Sequence, residues 1–213
     1  MFRRYISAVL IGSGVLLIVA ALVLGVYNLW DDRRAQKAVD SIIQELKLLR
    51  GDADTSDESG DDPNENENAS PSFDPGLDPN RDMPAVEIDG HWYIGTLAIP
   101  SLALDLPIID TWDYEQMKLA PCRYSGSVYL KNMVICGHNY TAHFARLVNL
   151  NIGDSVVFTD MDGNEFSYKV SQIETIPGTA VEDMKTGDWD LTLFTCNFSG
   201  QARVTVRCDE VKK

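Results

Sequence analysis

Ile6 to Val26 is a run of 21 residues without a charge, built from Ile, Leu, Val, Ala, Gly and two serines. At about 1.5 Å of rise per residue, a helix of that length spans a bilayer core of roughly 30 Å. Arg3 and Arg4 precede the run, which predicts an N-terminus on the cytoplasmic side. Arg33 and Arg34 beyond it weaken that asymmetry. Tyr27 and Trp30 suit the interface at the far end. A cleaved signal peptide is the competing reading, but its apolar region is usually about 7–15 residues with a small-x-small site after it. The expectation is an uncleaved, single-pass anchor over residues 1–32, with the remainder outside the cytoplasm.

Charge divides the chain after that point. Residues 1–50 hold seven Lys/Arg and four Asp/Glu, net +3; residues 51–85 hold one and eleven, net −10; residues 86–213 hold ten and seventeen, net −7. Nucleic acid is excluded as a partner, because phosphate binding needs clustered Lys/Arg and the body is acidic. Residues 33–50 are good helix formers with apolar positions at Ala38, Ile42, Leu46 and Leu49, which predicts a juxtamembrane stalk helix. Residues 51–85 are almost devoid of apolar side chains and cannot bury enough surface to offset ordering entropy. They are expected to form a disordered acidic linker with an r.m.s. reach on the order of 30–35 Å, extended further by self-repulsion.

From Glu87 onward the pattern becomes short apolar runs punctuated by Gly, Pro, Asn and Asp. Strands are predicted over residues 93–100, 104–109, 132–136, 154–158, 166–170, 191–196 and 203–208, with Asp162-Gly163 as a hairpin turn. Helical signals are confined to Tyr114–Leu119 and Thr141–Val148. Many short strands at this spacing predict a mostly antiparallel sandwich or barrel, and residues 86–213 suffice for one core.

The chemistry-bearing residues are few. Cys122, Cys136, Cys196 and Cys208 are the only cysteines, and outside the cytoplasm structural disulfides are the default. Cysteine counting therefore leaves Cys196 open as half-cystine or nucleophile. His138 follows the strand ending at Cys136, with Gly137 between them letting the backbone turn. His91 lies near the linker, and Cys136, His138 and His143 do not make a zinc pattern. Alternation along Arg203–Cys208 puts Val204, Val206 and Cys208 on one face and Arg203, Thr205 and Arg207 on the other. Arg203 is the arginine nearer Cys196 across the hairpin.

Thr192-Leu193-Phe194-Thr195-Cys196, Gly137-His138, the following strand opened by Arg203, and Gly95-Thr96-Leu97-Ala98-Ile99-Pro100 together resemble the sortase family, the membrane-anchored cysteine transpeptidases of Gram-positive bacteria. The resemblance covers about Ile94 to Val211, and an anchor with a spacer upstream is the family's usual arrangement. It implies an eight-stranded β-barrel with a few short helices, here over residues 86–213. It also implies Cys196 as nucleophile, His138 as general acid/base and Arg203 as substrate or oxyanion stabiliser, with Thr195 shaping the pocket. No cofactor or metal is expected, and Asp160, Asp162 and Glu165 read as a solvated hairpin tip. The implied reaction cleaves an LPXTG-like sorting signal between Thr and Gly through a Cys196 thioester. The implied partners are secreted proteins bearing that signal and an amine of a peptidoglycan precursor or pilin. The extra thiols, and Asn139 where one branch often has arginine, leave the sortase class unassigned. A membrane-anchored cysteine peptidase using water as acceptor and a non-enzymatic, disulfide-stabilised surface binding domain are the alternatives.

Overall fold

One long helix and nine strands carry the chain in the computed structural model, which describes residues 2–51, 78–197 and 200–211, with side chains from residue 12 onward. The expected linker therefore falls, apart from its two ends, outside the described residues. The chain divides into two units, Met1–Arg34 and Ala35–Lys213.

The first unit is the leading part of α1 (Phe2–Arg50). Its large apolar side chains between Val15 and Trp30 are exposed. A helix apolar all round needs lipid or protein about it. Among the described residues, this is the one helix long and apolar enough to cross a membrane, which fits a membrane anchor.

The second unit is built on β1 (Val86–Ile88), β2 (His91–Ile99), β3 (Leu104–Ile109), β4 (Cys122–Ser125), β5 (Met133–Gly137), β6 (Ser155–Asp160), β7 (Glu165–Pro177), β8 (Leu191–Cys196) and β9 (Ala202–Glu210). The order β2-β3-β4-β5-β8-β9-β7-β6 is closed by a β2–β6 pairing, giving an eight-stranded barrel with β1 added alongside the start of β2. Pairing is mostly antiparallel, as predicted, except for β3–β4 and β5–β8. Gly95 permits the closure. Its φ is +152°, and a Cβ there would lie 2.1 Å from the Thr159 carbonyl oxygen of β6. Two predicted helical stretches appear as 3-10 turns at Gln116–Lys118 and Ala145–Asn149. A one-turn helix, α2 (Val181–Lys185), had no signal in the sequence.

Alternation along the strands sorts side chains into two apolar layers. Met133, Ile135, Leu191, Leu193, Val206 and Cys208 join the barrel interior. Val134, Cys136, Phe194, Met184 and Cys122 form a second cluster outside it. The end of α1 adds to both layers. Its buried stripe is Ala35, Val39, Ile43 and Leu46, with Val39 and Ile43 in the first cluster and Leu46 in the second. The stripe is thus rotated from the predicted one. Ala38 and Ile42 only flank it and Leu49 is exposed, because a face this rich in apolar residues admits two stripes of equal spacing. Lys47 pairs with Asp105 at 2.7 Å across the same contact.

The hairpin tip also differs from expectation, since Asp160 is fully buried rather than solvated. One of its carboxylate oxygens accepts from the backbone N–H groups of Asp162 and Asn164, and the other from Tyr129 Oη and Asn164 Nδ2. Those bonds saturate it as the staple of a tight turn.

Candidate active site

β5, β8 and β9 lie side by side, and their registers align the three residues singled out by sequence. Cys196 pairs directly with Arg203 across β8–β9. Gly137 pairs with Thr195 across β5–β8, so continuing that parallel register by one residue sets His138 opposite Cys196. Side chains alternate, so His138, Cys196 and Arg203 share the outer face with Cys136 and Phe194, while Leu193 points into the barrel. Cys196 and Arg203 are register partners on β8 and β9, and His138 directly follows the last residue of β5 at the same end of the sheet.

Above that row is a groove of about 160 Å³ lined by Cys196 and Arg203 together with Trp112, Tyr114, Met117, Tyr124, Phe194, Val181 and Met184. The rings interlock: Tyr124 meets Trp112 at 5.4 Å and the Phe194 edge at 5.4 Å. Lys185 of α2 lies 5.4 Å from the Tyr124 ring centre. His138 sits between Tyr114, in an edge contact at 5.6 Å, and Tyr140 at 5.0 Å. Such a clamp limits the imidazole to few orientations. Tyr140 in turn contacts His143, which is fully buried.

Gly137 has another role than the turn assigned to it above. It is a buried β5 residue outside the left-handed region, and a Cβ there would meet Phe144 Cδ2 at 2.8 Å. The glycine makes room for the Phe144 ring, and Phe144 N–H donates to the His138 carbonyl at 3.2 Å, folding the 138–145 loop back on itself. Thr195 pairs with Gly137 and Val204 and faces away from Cys196. It is buried, its Oγ1 has no hydrogen-bond partner among the described residues, and it is not among the groove-lining residues.

All four cysteines are thiols rather than the disulfides expected by default. Cys196 is half-buried at the groove, whereas Cys122, Cys136 and Cys208 are buried. Burial pushes the Cys122 and Cys208 thiols up to about 12 and raises Cys136 as well, with neighbouring Cys122 adding to the effect on Cys136. Inert buried thiols leave Cys196 as the accessible sulfur.

The two arginines of β9 differ in a way the sequence conceals. Arg203 is half-buried, with Nη1 donating to the carbonyls of Gly200 at 3.1 Å and Ala202 at 3.4 Å beside the groove. Arg207 is 3% exposed and is engaged on β7, β8 and α2. No group of three or more His, Cys, Asp or Glu suited to a metal occurs among the described residues.

A family model described as a sortase domain matches residues 97–211, more than half of the chain. No curated protein sequence matches it. Among solved structures, sortase A from Corynebacterium diphtheriae is similar at TM-score 0.53 and 21% identity, covering 58% of this chain and 62% of that one. Sortase C1 of GBS Pilus Island 1 matches at 0.51 and 24%, covering 57% and 65%. Sortase C1 from Streptococcus agalactiae matches at 0.52 and 23%, covering 60% and 72%. The chain thus spans less than two thirds of the first two structures, and at these identities the likeness is one of fold. The matched domain over β2 to β9 places the chain in the sortase family.

Proposed function

We propose that this sortase cleaves an LPXTG-like sorting signal between Thr and Gly and transfers the upstream protein to an amine. The observation that carries the reading is the pairing of Cys196 with Arg203 across β8 and β9, with His138 directly after the adjoining end of β5. The Cys196 thiolate attacks the threonine carbonyl carbon, forming the C–S bond and an oxyanion held by Arg203. Collapse of the intermediate breaks the C–N bond, and imidazolium His138 gives its proton to the departing glycine amine. The thioester is then attacked by an acceptor amine of a peptidoglycan precursor or pilin. His138 takes the proton from that amine as the C–S bond breaks and the thiolate is restored. Thr195 shapes this site from behind, through its pairing with Gly137.

The anchor over residues 1–32 holds the enzyme to the cell membrane with the N-terminus cytoplasmic. The helix at 33–50 and the acidic linker at 51–85 then lead to an extracellular catalytic domain over 86–213. The aromatic and methionine walls of the groove suit the apolar part of a sorting signal and exclude water from the thioester. Mass spectrometry of products from sorting peptides, with and without an amine acceptor, tests the proposal. Transfer product and a Cys196 acyl-enzyme are expected. Hydrolysis product alone, even with amine in excess, indicates a peptidase instead, and turnover that survives Cys196→Ala refutes the assigned nucleophile.

A further inference from the structure

We propose that Arg207 is a positioning residue that clasps the segment between β7 and β8, fixing α2 as one wall of the groove beside Cys196. This inference rests on the transpeptidase reading and specifies how its substrate wall is held.

α2 is a single turn of five residues and cannot be stable on its own. Its last carbonyls have no partner within the helix. Arg207 supplies the donors: Nη2 donates to the Asp183 carbonyl at 2.5 Å and Nη1 to the Met184 carbonyl at 3.1 Å. The same guanidinium donates through Nη1 to Thr192 Oγ1 at 3.1 Å and through Nε to Glu174 Oε1 at 2.9 Å. One buried cation therefore ties α2 to β7 and β8 together. Thr192 is four residues before Cys196 on the strand that carries the thiol, and Val181 and Met184 of α2 line the groove. The segment's own backbone bonds are few, with Thr186 N–H donating to Glu182 O at 2.9 Å as the helical reporter. A lysine has no planar fork to serve these separated acceptors.

The test compares the full chain with Glu174→Gln, Arg207→Lys and Arg207→Met; Glu174→Gln keeps the experiment informative if Arg207→Met does not fold. Hydrogen exchange reads the clasp without any substrate, and steady-state kinetics on a sorting peptide read its consequence. Exchange at Thr186 is expected to quicken about tenfold or more while β8 amides are unchanged. KM should rise roughly three- to tenfold with kcat within about twofold, and alkylation of Cys196 by iodoacetamide should keep its rate. Unchanged exchange in both Arg207→Lys and Glu174→Gln overturns the clasp. Faster exchange with unmoved KM in an active enzyme overturns the positioning role. A wild-type chain that forms no acyl-enzyme overturns the transpeptidase reading first and this inference with it, and the exchange data tell those failures apart.

Discussion

Gly137 lies against the Phe144 ring so closely that a single added methyl would stand 2.8 Å from Cδ2 and 3.0 Å from Cγ. Phe144 is fully buried and its backbone N–H is bonded to the His138 carbonyl, so the ring has little freedom to yield. Gly137→Ala should therefore cost about 1–3 kcal/mol through overpacking. It should also shift His138, the next residue, out of line with Cys196. Thermal unfolding with single-turnover acylation checks this. A variant with unchanged melting and unchanged acylation would show that the ring moves freely.

The thiols make a second prediction. At neutral pH, native protein should expose one fast-reacting cysteine, Cys196, and four in denaturant, counted with a chromogenic disulfide reagent. Burial raises the thiols of Cys122, Cys136 and Cys208 in the folded chain, the first and last to about 12, against about 8.5 when unfolded. The folded state thus keeps protons that the unfolded state has lost. Their stabilisation is complete below about pH 8.5 and falls as pH rises toward 12, by about 1.4 kcal/mol per pH unit for each thiol. Urea unfolding at pH 8, 9 and 10 measures that slope. Cys208→Ala should flatten it, and an unaltered slope refutes the buried-thiol account.

These sites differ in how far the sequence could reveal them. The family resemblance of Thr192–Cys196, Gly137-His138 and the strand opened by Arg203 singled out these three residues, and strand alternation, a local property, adds that Cys196 and Arg203 share a face. Alternation also places Arg203 and Arg207 on the same face, but it cannot tell them apart. What separates them is α2, a segment without apolar periodicity that covers Arg207 and leaves Arg203 at the groove. The same limit applies to Gly137, whose requirement comes from a ring seven residues away rather than from its own backbone. β4 escaped notice because four half-buried or buried residues held by a bulged pairing have no clear period.

The end of α1 provides a third prediction. Leu46 is fully buried in the outer cluster with Ile88, Tyr93 and Ile109. Leu46→Ala should cost about 2–5 kcal/mol, whereas exposed Leu49→Ala should change stability by no more than about 0.5 kcal/mol. Chemical denaturation of the two variants decides between a helix end that belongs to the folded catalytic unit and one that is only a stalk. Equal, negligible effects would favour the stalk.

The pair of β9 arginines gives the sharpest separation of chemistry from scaffold. Among the described residues, Arg203 donates to carbonyls of its own hairpin, those of Gly200 and Ala202, so Arg203→Ala should cost the fold little. Its loss should instead lower the acylation rate by about 10²–10³, the usual effect of removing an oxyanion donor. Arg203→Lys should recover only part of that rate, because the charge returns without the planar fork. Arg207→Ala should do the reverse to stability. It leaves the half-buried Glu174 carboxylate and two α2 carbonyls without their donor, which corresponds to about 1–3 kcal/mol. Measuring unfolding free energy and acylation rate on both variants plots chemistry against stability. If Arg203→Ala unfolds the protein while Arg207→Ala stays folded and loses acylation, the two residues have been assigned the wrong way round.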